Sequence, residues 1–474
     1  MAPSYPFYHQ HPTQSFFSTD PMRLTFEEGT LVLRDYIDEA VPSAFVWDAR
    51  TDHFRAQAHF YRESREFLKD EAVAYKNTAP RYRTLQLSLK DAPEPHPHQR
   101  ESLEAWQQHG RRGVVVLPTG SGKSLVAQLA IASVERSTLV VAPTIDLMNQ
   151  WYELLSTCFE TEIGLLGGGY HELADITVST YDSAYMHMER YGNRFGLLVY
   201  DEVHHLPGEM YSHSAEMSIA PYRLGLTATP ERADGRHVRL NTLVGPVVYE
   251  KGIRELSGEY LSEYRVERRP VEMVAEERVA YEAAHDEYRA FLEEKNIRMG
   301  SLNGWRRFVQ LSSSSSAGRR AMLAYRRHRQ IALGTASKLR VLEEIFKAHP
   351  RDRVLVFTND NETVYHISQT FLVPAITHLT RTKERKHLLE AFNAGDYLVL
   401  VTSKVLNEGV NMPAANIAVV LSGSGTIREH VQRLGRILRR RQGKQAVLYE
   451  VVSSDTLEDR ISARRRRHEA YEDE

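Results

Sequence analysis

The sequence predicts an α/β protein: two similar parallel-sheet lobes, a small α+β unit ahead of them, and a helical basic insertion between them. Three observations predict it. Short apolar runs alternate with helix-like segments at GVVVLP (113–118), STLVVAP (137–143), ADITVST (174–180) and FGLLVYD (195–201). The same texture returns at RVLVFTN (353–359), YLVLVTS (397–403) and NIAVVLS (416–422). Strands buried on both faces read as continuous apolar runs, and their alternation with helices is the pattern of a doubly wound sheet. Finally, 474 residues, 42% of them hydrophobic, exceed one ordinary core and can fill several.

Taken in order, residues 1–22 hold no Lys or Arg and no apolar block, so they read as a tail rather than a signal or transit peptide. Residues 23–90 open with LTFEEGTLVLRD, which alternates about a Gly turn as a strand pair does, and YRESREFLKDEA then reads as a helix. The first lobe spans 91–255. A linker and insertion span 256–334, the second lobe 335–455, and a charged tail 456–474. Within the insertion, 295–330 carries nine Lys/Arg and no Asp/Glu, with Trp305, Phe308 and Tyr325 interleaved.

Composition narrows the function. No run approaches the roughly 18–20 apolar residues of a membrane span. Cys158 is the single cysteine, so an intrachain disulfide and cysteine-ligated zinc or iron–sulfur sites are excluded, and a reducing cytoplasmic setting is compatible (nucleoid-associated in a prokaryote). Net charge is −2 with pI ≈ 6.9, so nucleic acid would have to be met by local patches.

The motifs supply the chemistry. PTGSGKS (118–124) follows a strand and precedes a helix-like run, the context a phosphate-binding loop requires. Thr119, Gly120, Ser121 and Gly122 form the loop. Lys123 is placed to neutralise β- and γ-phosphates, and the Ser124 hydroxyl to ligate Mg²⁺. Leu117 stands where GxxxxGK[ST] has its first Gly, so the form is PxGxGKS, as in helicase-type ATPases. LVYDEVHHLP (198–207) ends another buried strand in two carboxylates. Asp201 reads as the second Mg²⁺ ligand and Glu202 as the group that positions and deprotonates the attacking water. Adjacent His204 and His205 point in different directions, unlike the i, i+4 pair of a zinc helix. His204 is instead expected to couple this site to LTATP (226–230), where Thr227 and Thr229 offer short hydroxyls. In HVQRLGRILRR (430–440), Gln432, Arg436 and Arg439 form QxxGRxxR, with the arginines on one helical face as an arginine finger from the second lobe. Gln99, ahead of the first lobe, can read adenine through its amide, favouring ATP.

These stretches, with VSTYDSAY, SIAPYRLGLTATPERADGRH, LNEGVNMP (whose Gly409 is a candidate ATP contact) and SGSG, resemble the XPB (xeroderma pigmentosum group B) family of superfamily 2 DNA helicases in its short archaeal and bacterial form. The resemblance covers about 23–465 and implies two RecA-like lobes. It implies ATP and Mg²⁺ as cofactors, and a 3′–5′ DNA helicase or translocase linked to nucleotide excision repair. It also implies a damage-recognition-like domain over 23–90, a thumb-like insertion, and a partner nuclease as in archaeal relatives. The family's Arg-Glu-Asp motif, tied to strand opening, reads here Arg232-Ala233-Asp234, which puts the strength of unwinding in question. Relatives often carry an acidic residue where Asn407 stands and an Arg where His96 stands. Single-stranded, forked or damaged duplex DNA is the expected partner, held by phosphate contacts at Thr180 and Thr402 and by Trp305, Arg306, Arg307, Arg319 and Arg320. Rival readings are a double-strand translocase, an ATP-gated clamp that positions a nuclease, and an RNA helicase.

Overall fold

The computed structural model describes residues 22–35, 41–90, 93–232, 234–258, 260–262, 264–299, 303–403, 415–422, 446–459 and 462. Within these residues the strands form three sheets. The N-terminal sheet runs, in space, Val46–Asp48, His53–Gln57, Thr30–Arg34, Met22–Glu27, Tyr75–Asn77. Alternation in Met22–Glu27 and the apolar Leu31–Val32–Leu33 run turn Leu24, Leu31 and Leu33 toward Tyr61 and Leu68 of the helix Tyr61–Asp70, closing a small core. The chain then crosses to the first lobe, where the backbones of Arg81 and Asn193, and of Leu85 and Glu135, hydrogen-bond.

The first lobe's sheet runs Val247–Glu250, Arg112–Val116, Tyr222–Thr227, Leu197–Asp201, Thr138–Ala142, Ile176–Thr180, Ile163–Gly167, Tyr170–Glu172. All neighbours are parallel except the last pair. The second lobe's sheet is parallel throughout: Tyr264–Val271, Ala446–Ser453, Ile417–Val420, Val354–Phe357, Val399–Thr402, Ala375–Ile376. All seven apolar runs read from the sequence are strands here.

One boundary differs from the sequence reading. Tyr264–Val271 lies inside the expected linker, yet pairs along its whole length with Ala446–Ser453 in the second lobe's sheet. Its sequence, YRVERRPV, carries four charges and a proline. Those are the features of an edge strand, solvated on one side, and they hide it from a search for buried runs. The insertion proper is three helices, Ala275–Glu294, Gly304–Ser314 and Ser316–Gly334, packed on Phe291, Leu292, Ile297, Phe308 and Ala321. The serine run 312–316 is the break between two of them. Ser312, Ser313 and Ser314 donate back to carbonyls three residues earlier, and Ser315 accepts from Gly318 N–H at 3.0 Å as the next N-cap. A side chain at Gly318 would collide with the Leu311 carbonyl, so glycine permits the close crossing.

Candidate active site

Strand order explains the site. Tyr222–Thr227 lies between Arg112–Val116 and Leu197–Asp201, and all three run parallel. Their C-terminal ends therefore open side by side, and each leads into one chemical motif: 117–124, Asp201 with Glu202, and Thr227 with Thr229. Leu117 N–H donates to the Thr227 carbonyl at 3.0 Å, joining two of them directly. Carboxyl ends of parallel strands are where such sheets bind ligands.

The loop is shaped for an anion. Gly120 and Gly122 hold φ of +90° and +84°, conformations in which a side chain is strained, and helix Lys123–Val134 starts immediately after them. A Cβ at Gly122 would collide with the Gln99 amide. The Lys123 ammonium donates to the Leu117 and Pro118 carbonyls at 3.0 and 3.3 Å, folded back along the loop. Thr119 Oγ1 is buried with no hydrogen-bond partner among the described residues, an orphan that a phosphate or its water shell would satisfy. The residues present thus fit a nucleotide phosphate chain, with the Ser124 hydroxyl at the first turn of the helix.

Gln99 is placed against this loop. Its Oε1 accepts from His96 N–H and its Nε2 donates to the Ser121 carbonyl, both at 2.9 Å. The amide ties helix Pro97–Gln108 to the loop and keeps one further N–H for a base. The sequence reading missed His98, whose Nε2–H donates to the same Ser121 carbonyl at 2.9 Å and whose pKa burial lowers. The His96, His98 and Tyr260 rings pack within 4.8–5.7 Å of one another beside it.

At the second strand end, the Asp201 carboxylate accepts from Glu202 N–H at 3.0 Å on Oδ1 and from the Trp151 indole N–H at 2.9 Å on Oδ2. The Tyr181 hydroxyl donates to the Asp201 carbonyl at 3.0 Å. Glu202 adopts φ +46°, a left-handed conformation costly for a non-glycine residue. Such strain recurs where a functional carboxylate must be aimed. His204 Nδ1 is 3.4 Å from Glu202 Oε2 and 3.0 Å from Thr227 Oγ1. Thr227 Oγ1 in turn donates to the Thr229 carbonyl and accepts from Thr229 N–H. Arg232 donates to the His204 carbonyl at 2.7 Å and grips Asp234 with two bonds of 2.9 and 2.7 Å. That grip holds the Asp234 carboxyl far below the usual range and raises Arg232. Every expected coupling residue therefore lies on one continuous polar chain from Glu202. The His205 ring lies beside that of His204, with centroids 4.4 Å apart, closer than the sequence suggested for adjacent residues, and the Tyr181 ring stands 5.9 Å from it. Among the described residues no group of three or more His, Cys, Asp or Glu side chains could hold a metal ion by itself.

The expected DNA contacts divide. Trp305, Arg306, Arg307, Arg319 and Arg320 are exposed on the insertion, with Trp305 leaning on Phe308 and Tyr325. Thr180 and Thr402 are buried, at 6% and 0% exposure, so their hydroxyls do not face a ligand here. Thr180 Oγ1 caps helix Tyr181–Tyr191 by accepting from Ser183 N–H, and Thr402 Oγ1 donates to the Ser403 carbonyl. Strand-to-helix turns use short hydroxyls for their own backbone, which sequence alone does not separate from phosphate binding. Ala233, Gly409, Gln432, Arg436 and Arg439 lie outside the described residues.

Comparison with known proteins agrees with this geometry. Three family models match: the xeroderma pigmentosum group B helicase damage recognition domain over 24–79, the type III restriction enzyme res subunit over 92–232, and the helicase conserved C-terminal domain over 337–441. The chain is similar to the DNA 3′–5′ translocase XPB2 of Sulfurisphaera tokodaii, 39% identical over 91% of this chain and 97% of that protein. It is also similar to the DNA 3′–5′ helicase XPB of Mycobacterium tuberculosis, 32% identical over 76% of this chain but only 60% of that longer protein. The Pyrococcus furiosus Hef helicase domain shares the fold, with a TM-score of 0.54, 17% identity, and coverage of 77% of this chain and 97% of that domain. A helicase core of ATP-hydrolysing type behind a damage recognition domain, at this identity to a relative matched almost end to end, places the chain in the XPB family of DNA 3′–5′ helicases and translocases.

Proposed function

We propose that this chain is an ATP-driven DNA motor of 3′–5′ polarity that works in repair, opening or tracking along duplex near damage. The observation that carries the reading is the polar chain Glu202–His204–Thr227–Thr229, extended through Arg232 to Asp234. It connects the carboxylate that would handle the attacking water to the charged motif beyond LTATP, as a motor requires and a simple nucleotide-binding switch does not.

In this reading Ser124 and Asp201 would hold Mg²⁺, which would supply charge neutralisation to the nucleotide phosphates. Lys123 leaves the Leu117 and Pro118 carbonyls for the same phosphates. Glu202 orients water and takes its proton, and His204 registers the change at Thr227. Arg436 and Arg439 reach the γ-phosphate from the second lobe, so ATP draws the lobes together and hydrolysis releases them. The Trp305 face with its arginines grips phosphates and stacks a base, worth about 1–3 kcal/mol per stacked base.

The double-strand translocase reading is favoured by Ala233, which removes the central carboxylate of the strand-opening motif. Release of a labelled strand from 3′-tailed and 5′-tailed duplexes, beside displacement of a third strand from a triplex, tests the two. Release from the 3′-tailed form alone supports a helicase. Third-strand displacement without duplex opening supports the translocase. Recruitment of a nuclease that survives Glu202→Gln would support the clamp, and stronger stimulation of turnover by RNA than by DNA the RNA helicase.

A further inference from the structure

Helix Ile145–Cys158 touches two distant parts of the molecule at once. Thr144 caps it by accepting from Leu147 N–H at 3.2 Å. In its first turn the Asp146 carboxylate pairs with Arg385 of helix Thr382–Ala394, Oδ2 to Nη1 at 2.8 Å, a contact between the first and second lobes. That pair is only 25% and 17% exposed, so solvent screens it weakly. Five residues on, about 7.5 Å along the axis, Trp151 is buried and its indole N–H donates to Asp201 Oδ2 at 2.9 Å. An indole nitrogen can only donate and a carboxylate can only accept, so this bond has one polarity and fixes the carboxylate plane. Oδ1 accepts from Glu202 N–H at 3.0 Å, so each carboxylate oxygen has a donor that orients it.

We infer that Trp151 is a positioning residue for the Asp201 carboxylate, and that helix Ile145–Cys158 makes that carboxylate's placement depend on the second lobe through Asp146 and Arg385. The inference rests on the reading of Asp201 as the Mg²⁺ ligand and adds how it is held. A displacement of Arg385 during lobe opening pulls on the first turn of a rigid helix, and the indole carries the movement to the carboxylate. Metal affinity then follows lobe position without any residue of the second lobe touching the metal. Groups that hydrogen-bond a metal ligand typically change metal affinity by about 10–100-fold when removed.

The test is Mn²⁺ binding to the full-length protein with a non-hydrolysable ATP analogue, read by electron paramagnetic resonance, for the parent, Trp151→Phe, Arg385→Ala, their double variant and Asp201→Asn. Trp151→Phe removes the N–H and keeps most of the ring volume. It is expected to weaken Mn²⁺ about tenfold while analogue affinity in chelator and the thermal midpoint stay at the parent values. Arg385→Ala is expected to weaken Mn²⁺ severalfold, and to add nothing once Trp151 is Phe. Unchanged Mn²⁺ affinity in Trp151→Phe, alongside a loss in Asp201→Asn, overturns the positioning role alone. Unchanged affinity in Asp201→Asn overturns the metal reading beneath it. Multiplicative effects of Trp151→Phe and Arg385→Ala overturn the helix link.

Discussion

The two lobes are built on the same parallel sheet but finish their strands differently. In the first lobe, strand ends open into a glycine loop, a carboxylate pair of which Glu202 is strained, and buried threonines joined to Glu202 by one polar chain. In the second, the polar groups at the described strand ends bond to backbone close by. Thr358 Oγ1 donates to the Asp360 carbonyl, Ser422 Oγ accepts from Asn359 N–H, and Thr402 satisfies its own turn. Behind them Lys338 and Glu458, both almost fully buried, pair at 2.5 Å and bind backbone at Leu421 and Ser453. The difference teaches a division of labour. One sheet gathers its polar strand ends around a glycine loop, and the other, among the described residues, ties its polar strand ends to backbone and to a buried ion pair.

The largest expected effect is in the first lobe. Lys123→Ala should reduce ATP turnover to the level of the Glu202→Gln blank with an unchanged melting temperature. Turnover above that blank would remove the phosphate role. Arg436→Ala tests what the second lobe adds: turnover should fall about 10³-fold or more while ATP binding, measured with a fluorescent analogue, persists. Unchanged turnover would mean the second lobe supplies no arginine finger. Lys338→Ala probes stiffness, since removing one partner of a buried pair costs about 3–5 kcal/mol. Denaturant melts should show the second lobe unfolding early, with the first lobe's analogue binding retained.

Smaller effects lie outside both lobes. Burial lowers His59 and His328 to about 4, against 6.5 when exposed. Between those values the unfolded chain binds protons that the folded chain refuses, so their contribution is whole above pH 6.5 and is lost as pH falls toward 4. Urea midpoints at pH 7 and pH 5 should differ in that direction, and less so for His328→Phe. Trp305→Ala should weaken DNA binding by about 1–3 kcal/mol without altering turnover in the absence of DNA. An unchanged dissociation constant would take the insertion out of the DNA grip.

Much of the site could be read from spacing, because phosphate loops, carboxylate strand ends and LTATP each join a strand to a turn in a fixed register. The placement of His204 between Glu202 and Thr227 was legible for the same reason: it stands two residues past Glu202, and the neighbouring strand delivers Thr227 to it. Trp151 and His98 were not. Their contacts cross between helices and the sheet, and an indole or imidazole in an amphipathic run looks like core. Tyr264–Val271 was hidden by its charges, and the hydroxyls of Thr180 and Thr402 by the likeness of a helix cap to a phosphate contact. Cys158, the single cysteine, ends helix Ile145–Cys158, and burial raises its thiol pKa. No helix among the described residues is long and apolar enough to cross a membrane.

In a DNA motor of this kind, nucleotide chemistry in the first lobe is driven by DNA. ATP turnover tests it most directly, measured without nucleic acid and then with single-stranded, duplex, forked or bubble DNA and with RNA, using Glu202→Gln as the blank. Strong stimulation by DNA is expected, greatest with single-stranded or forked forms. Equal turnover with and without DNA would contradict it.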